Sequence, residues 1–363
     1  MTRNVVNFNA GPAGLPEPAL KKAQEELLDF RGTGMSIMEH SHRGKSYEEV
    51  HRATTALAKK LMGVPDTHEV LFLQGGASAM FAQVPMNFLT EGKSADYVLT
   101  GAWSQKAFSE AKLIGATKVA WNGEVDKKFT RVPKQSELAL DPTAAYLHYT
   151  TNNTIFGTQW HWTPESKNVP LIADMSSDIM SRPVDVKKHA MIYAGAQKNL
   201  GPSGVVLVVI DKQLSASGSS KIPVIFRFQT HLESESLYNT PPTFAIYLMK
   251  NVLEWMDAEG GLPAMQKRNQ KKADILYGAI DESSGWYAAP VEKASRSQMN
   301  IVFRLPSEEL ENKFVKQAEA KGMIGLKGHR SVGGIRASTY NAVSPEGVER
   351  FVDFMRAFKK ENG

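Results

Sequence analysis

The sequence predicts an α/β fold, with a large domain built on a mostly parallel sheet and a smaller α+β domain after it. Three observations carry this. Seven short β-rich runs alternate with helical patterns between residues 70 and 210, the pattern of strands joined by crossover helices. The pattern changes past residue 255, where Glu259-Gly-Gly-Leu-Pro263 interrupts it. The chain has 363 residues, 42% of them apolar and 22% charged, which suffices for a large core without staples and for roughly two domains. The expected division is 16–255 for the large domain and 256–363 for the small one, with residues 1–15 packing near the latter.

The elements follow in order. Val70-Leu-Phe-Leu73 reads as a buried strand, and Met80 to Leu89 as a helix that Pro85 should kink. Tyr97-Val-Leu-Thr100 is the next strand and Ser104 to Leu113 the next helix. Lys118–Trp121, Ala145–Tyr149, Leu171–Asp174, Ile192–Tyr193 and Val205–Ile210 complete a seven-stranded sheet, and Ser215-Ala-Ser-Gly-Ser-Ser220 reads as a surface loop. The small domain is expected to hold a basic helix from Met265 to Ile280, the strand Asn300–Phe303, a helix Ser307–Lys321, the strand Gly334–Ser338 and a last helix Pro345–Lys359.

Charge and composition exclude several functions. Forty-three Lys and Arg against 38 Asp and Glu leave +5, and no block of five or six basic residues provides a nucleic-acid footprint. A few cations facing a small anionic ligand account for the excess equally well. The absence of cysteine rules out disulfides, Cys-ligated metal and a Cys nucleophile. His40 and His42 have a His-x-His spacing, but no third ligand accompanies them at a diagnostic distance, so no metal site is expected. The first ten residues lack the apolar core of a signal peptide. The longest strongly apolar run, Val205–Ile210, is far short of the roughly 20 residues of a membrane span. A cytoplasmic protein that binds neither membrane nor nucleic acid is expected.

In open α/β sheets ligands bind beyond the C-terminal ends of the strands, and four positions there stand out. Gly75-Gly76-Ala77-Ser78 opens a helix and suits a phosphate; it is also what a tight turn with Ser78 as N-cap would look like. Trp103 follows a strand end and could stack on a planar ring, or fill the rim of the core. Asp174 ends a buried strand, where an ionised carboxylate needs a partner; a protonated ring nitrogen would serve, as would an ion pair or a capping role. Lys198 lies in the Gly-rich turn Gly195-Ala-Gln-Lys-Asn-Leu-Gly201 and can form a Schiff base if its pKa is depressed, although most loop lysines are simply solvated.

Together an anion cradle, a stacking ring, an acid and a lysine are the parts that hold pyridoxal 5'-phosphate. The chain resembles the fold-type-I, class V aminotransferases, and within them the phosphoserine branch. The segments that carry the resemblance are Asn7-Phe-Asn-Ala-Gly-Pro12, Ser41-His-Arg-Gly-Lys45, Gly195-Ala-Gln-Lys-Asn-Leu-Gly-Pro202, Tyr238-Asn-Thr-Pro-Pro242 and Gly334-Ile-Arg-Ala-Ser-Thr-Tyr-Asn341. They spread over nearly the whole chain.

The resemblance implies roles. Lys198 would bond the cofactor and then move a proton, Asp174 would face the pyridinium nitrogen, Trp103 would stack on the ring and Thr154 would contact its edge. Ala77, Ser78 and Gln197 would bind the cofactor phosphate, joined by Asn239 and Thr240 of a neighbouring subunit in a homodimer with shared sites. Arg336 would clamp the α-carboxylate, and His42, Arg43, His329 and Arg330 would receive the substrate phosphate. Many relatives carry an Arg after the Gly pair, where this chain has Ala77-Ser78; its cradle would rely on backbone N–H groups and the Ser78 hydroxyl. The implied reaction transfers the amino group of L-glutamate to 3-phosphohydroxypyruvate, giving O-phospho-L-serine and 2-oxoglutarate in serine biosynthesis. In some bacteria the branch also forms 4-phosphohydroxythreonine for vitamin B6. The alternative within the class is a serine– or alanine–glyoxylate aminotransferase, which has no phosphate to offer the two His-Arg pairs. From another class, a non-catalytic anion or nucleic-acid binder would show salt-sensitive polyanion binding and no cofactor.

Overall fold

The structure, a computed structural model, describes residues 4–363. Its centre is a seven-stranded sheet made of β1 (His68–Leu73), β2 (Ser94–Leu99), β3 (Ala116–Asn122), β4 (Leu147–Thr150), β5 (Leu171–Asp174), β6 (Met191–Gly195) and β7 (Val206–Asp211). The strand order is β1-β7-β6-β5-β4-β2-β3, and only β7 runs antiparallel to its neighbours. Strands covered on both faces read as continuous apolar runs, as Val205 to Ile210 does, because both sets of alternating side chains are buried.

The alternation separates two cores. Phe72, Leu147, Ala173, Ile192, Leu207 and Val209 face one side. There they meet Tyr47 and Val50 of α2 (Lys45–Met62) and Ile246 to Leu253 of α5 (Thr243–Ala258), beside α1 (Glu17–Glu25). Leu71, Leu73, Tyr97, Ile172, Tyr193 and Val208 face the other side. These pack on Phe81 and Val84 of α3 (Gly76–Phe88) and on Ala107 and Ala111 of α4 (Ala102–Ile114). Pro85 lies inside α3, which ends three residues later; its missing N–H removes one rung of the ladder near the end of the helix, where the loss is smallest.

A third core gathers on α6 (Gly261–Asp281), α7 (Glu308–Ala320), α8 (Pro345–Asn362) and the antiparallel pair β8 (Asn300–Phe303) and β9 (Ile335–Ser338). Phe314 is its hub, with the rings of Phe354 and Phe358 4.9 and 5.1 Å away. The N-terminal segment joins this core. Val6–Asn7 pairs in parallel with Met323–Ile324, and the Phe8 ring sits 4.9 Å from Phe351.

Two loop expectations change in part, the first only at Ser215 and Ala216, since residues 217–220 form the expected turn and loop. Ser215 lies inside a short helix, Lys212–Ala216, and is buried with its hydroxyl 2.9 Å from Gln229 Oε1. The Asp211 carboxylate caps that helix by accepting from the Gln213 and Leu214 N–H groups, which outweighs the turn-like Ser-Gly composition. The breaker Gly261-Leu-Pro263 forms the first turn of α6, where proline's missing N–H has no helical partner to lose.

Buried amides tie the cores together. Asn152 donates to Ser177 Oγ and to Asn300 Oδ1, both at 2.8 Å. Asn341 donates its N–H to Asn199 Oδ1 at 2.9 Å and accepts from Asn269 of α6 at 2.8 Å. Asn199 follows Lys198 directly, so the Lys198 turn is fixed from the third core as well as from the sheet.

Candidate active site

β1, β2, β4, β5 and β6 all end on one edge of the sheet, and their following residues form the site. Beyond β1, Gly75 has φ +91°, and a Cβ there would come 2.4 Å from Ala79 Cβ; only glycine makes this turn. Gly75 is the N-cap of α3 and no side chain caps the helix. Ser78 is therefore not the cap but the third helical residue, exposed beside the partly buried Ala77. Without a side-chain cap, the N–H groups of the first turn stay available to an anion.

Beyond β2, the Ser104 hydroxyl accepts from the Thr100 and Gly101 N–H groups at 2.9 and 3.1 Å and so sets the start of α4. This places Trp103 on the rim, where its indole Nε1 is buried without a hydrogen-bond partner. Beyond β4, a tight hairpin pairs Asn152–Asn153 with Thr158–Gln159. It is anchored by Asn153 Nδ2 donating to Thr100 Oγ1 at 2.9 Å, and it buries Thr154 at its tip.

At the end of β5, Asp174 is 3% exposed and accepts the Ser176 N–H at 2.9 Å. Among the described residues no ion pair neutralises it. Burial raises its pKa, against the opposing pull of the Ser176 hydrogen bonds and the Lys198 charge. After β6 the chain turns to present Gln197 and Lys198. Lys198 Nζ donates to Thr154 Oγ1 at 2.6 Å and lies 5.5 Å from the Trp103 ring centroid. Gly11 presses on its stem, since a Cβ there would stand 3.0 Å from Lys198 Cγ. Burial lowers the Lys198 pKa to about 8, with Asp174 pulling it up and Arg336 pushing it down. About one amine in ten is then neutral at pH 7, against roughly one in 3,000 for an ordinary lysine. A buried amine of this kind is a competent nucleophile toward a carbonyl.

Arg336 enters from β9. Its NH1 is 3.4 Å from the Thr154 carbonyl oxygen, and its Nε is buried without a partner. His329 Nδ1 is 2.7 Å from Ser331 Oγ. Its pKa is lowered by burial and then by the charges of Arg336, Arg330 and Lys106. A cavity of about 110 Å³, lined by Phe156, Val332, His329 and Arg336 among others, separates the loop from β8.

The structure thus brings together Trp103, Thr154, Asp174, Lys198, Arg336, His329 and Arg330, with Ala77, Ser78 and Gln197 on the same sheet edge. His42 and Arg43 sit apart, in the turn before α2, where Arg43 Nε donates to His42 Nε2 at 3.3 Å. Among the described residues, no hydrogen bond or ion pair joins them to the Lys198 cluster. Asn239 and Thr240 lie beside the cradle's approach, where Gln74 Nε2 donates to the Thr240 carbonyl at 3.2 Å. Sequence reasoning missed Lys106 and Tyr340. The Tyr340 hydroxyl donates to the Ala10 carbonyl at 2.8 Å and holds the N-terminal segment over the site. Lys106 carried a signal, three residues after Trp103 on one helix face. The described residues contain no cluster of three or more metal-ligating side chains.

The chain belongs to the class V aminotransferases: the family described as Aminotransferase class-V matches residues 5–351. It is similar to the phosphoserine aminotransferase of Lysinibacillus sphaericus, at 53% identity over 362 residues covering 100% of both chains. Among solved structures it is similar to phosphoserine aminotransferase from Bacillus circulans subsp. alkalophilus, with a TM-score of 0.97 and 53% identity over 99% of each chain. A further structure, concerned with radiation damage of the Schiff base in phosphoserine aminotransferase, aligns with a TM-score of 0.96 at 52% identity, covering 98% of this chain and 99% of that one.

Proposed function

We propose that the protein transfers the amino group of L-glutamate to 3-phosphohydroxypyruvate, forming O-phospho-L-serine and 2-oxoglutarate for serine biosynthesis, with pyridoxal 5'-phosphate as cofactor. The observation that carries this reading is Lys198, a lysine of depressed pKa set between Thr154, Trp103 and Asp174 with no acid paired to it. The site fits the cofactor. The uncapped start of α3 suits its phosphate, the buried Asp174 lacks a cation, and the Trp103 and Arg336 donors lack acceptors. When bound, the cofactor supplies a carbonyl carbon that carries the amino group and a ring that takes up electrons released at the substrate Cα.

The chain's own groups do the rest. Lys198 anchors the cofactor and then holds the proton that moves at the substrate carbon. Asp174 would keep a negative charge toward the ring nitrogen and Trp103 would cover the ring, while Thr154 orients the lysine amine. Ala77, Ser78 and Gln197 fix the cofactor phosphate. Arg336 holds the α-carboxylate in bidentate fashion, and His329 and Arg330 receive the far anionic group. Residues 16–255 carry the cofactor in this reading. Residues 256–363, with 1–15 beside them, carry the substrate clamp.

His42, Arg43, Asn239 and Thr240 act from a second copy of the chain in a homodimer. What supports this is the separation of His42 and Arg43 from the Lys198 cluster within one chain and the exposed apolar residues Leu28, Met35 and Met38 just before His42, a surface suited to a partner. No helix among the described residues is long and apolar enough to cross a membrane, in keeping with a cytoplasmic enzyme. The test is acceptor preference, with L-glutamate as donor and 3-phosphohydroxypyruvate, pyruvate and glyoxylate compared. The phosphorylated acceptor is expected to lead in kcat/KM by about 100-fold or more, since the others leave several cations unpaired. A lead for glyoxylate would move the protein to the glyoxylate branch of its class.

A further inference from the structure

We propose that Lys106 is a specificity residue of the same site, adding a positive charge that favours the doubly charged phosphate of the substrate over a carboxylate. This rests on the functional reading above. Lys106 lies on α4, three residues after Trp103, and its Nζ stands 4.5 Å from the Trp103 ring centroid. Lys198 Nζ stands 5.5 Å from that same centroid. The two nitrogens are therefore no more than about 10 Å apart, which is about one Debye length at 0.1 M ionic strength. Trp103 thus holds the Lys106 stem at the mouth of the site rather than on a remote helix face.

The charge environment agrees. Lys106 acts on His329 together with Arg336 and Arg330, so these cations share one space. Several cations elsewhere on the chain pair with acids, as in Lys118–Asp141, Arg131–Glu137 and Arg304–Glu311. Among the described residues Lys106, Arg330, Arg336 and Lys198 have no such ion pair. Lys106, Arg330 and Arg336 all act on His329 without an ion-pair partner of their own, and their mutual repulsion is relieved when an anion enters. A dianion gains more from an added cation than a monoanion does. The charge of Lys106 therefore biases the site toward phosphate, whereas the clamp of Arg336 serves any α-carboxylate.

The experiment uses the holoenzyme and titrates each half-reaction by absorbance, with O-phosphoserine and with L-glutamate, for the wild type, Lys106→Met and Lys106→Arg. Methionine keeps the stem's packing on Trp103 and removes the charge. Lys106→Met is expected to raise the half-saturating O-phosphoserine concentration about tenfold and that of glutamate about threefold or less, with the limiting rates kept. Lys106→Arg is expected to restore the wild-type ratio, and inorganic phosphate to inhibit Lys106→Met less than the wild type. An unchanged ratio in Lys106→Met, or an equal loss for both substrates, would overturn the proposal and leave Lys106 as a support for Trp103. A wild type that does not respond to O-phosphoserine at all would overturn the functional reading and this proposal with it.

Discussion

Replacing Lys198 by alanine is expected to lower turnover by about 1,000-fold or more. The lysine is asked for two things: a covalent hold on the cofactor and a positioned proton carrier, and the second alone is worth about 10²–10⁴ in rate. Its neighbourhood makes the loss specific. Thr154 Oγ1 accepts from Nζ at 2.6 Å, and Gly11 packs on the stem, so no other described lysine can take up that position without disturbing the turn. The fold should survive, because the Ala196–Gly201 turn is held by backbone bonds from Leu200 and Gly201 to the Ala196 carbonyl and by Asn199. Two readouts separate chemistry from folding. Cofactor should leave the variant on dialysis while remaining with the wild type, and the thermal midpoint should change little. The pH dependence has a definite sign. A lysine with pKa about 8 is reactive when neutral, so cofactor capture by the wild-type apoprotein should rise with pH through 8 and level off above it. Retained transamination in Lys198→Ala would remove the residue from its role.

Replacing Asp174 by asparagine is expected to cost about 100- to 1,000-fold in turnover while leaving the fold intact. The change is nearly isosteric, and the amide oxygen can still accept the Ser176 N–H now held at 2.9 Å. Only the charge is lost. Its environment raises the pKa of Asp174 by burial, so the carboxylate is poorly solvated and poised for a cation at the end of β5. The protonated ring nitrogen of the proposed cofactor would provide one, and such a pair would be worth several kcal/mol where water is excluded, roughly 3–4 kcal/mol for the loss expected here. The check is turnover together with the affinity for added cofactor, and both should fall. Wild-type turnover in Asp174→Asn would show that the carboxylate is structural, a ligand for the Ser176 turn and nothing more.

What the sequence made legible follows from locality. The ends of β5 and β6 were readable because an apolar run stops at a single residue of another kind, Asp174 in one case and the Gly195 turn in the other. β8 was readable for the same reason, and the Gly75-Gly76 turn because few residues adopt φ +91°. Where the outcome depended on competition between local bonds, the reading slipped. Ser78 looks like a cap, yet Gly75 already occupies that position. Ser215 looks like loop, yet the Asp211 carboxylate, four residues earlier in the chain, captures the helix start. Position in space was the least legible. Nothing local distinguishes His329, which approaches Arg336, from His42, which stays in a separate turn. Lys106 looks like any helical surface lysine until its place over the Trp103 ring and its influence on His329 are seen.

The central claim is that the Lys198 cluster holds pyridoxal phosphate and admits a phosphorylated amino acid. The most direct test is the visible absorbance of the purified protein, supplied with the cofactor, as O-phosphoserine or serine is added. The expected result is a yellow protein whose band is bleached by O-phosphoserine at concentrations where serine leaves it unchanged. A protein that stays colourless with added cofactor, or one that serine bleaches as readily as O-phosphoserine, would contradict it.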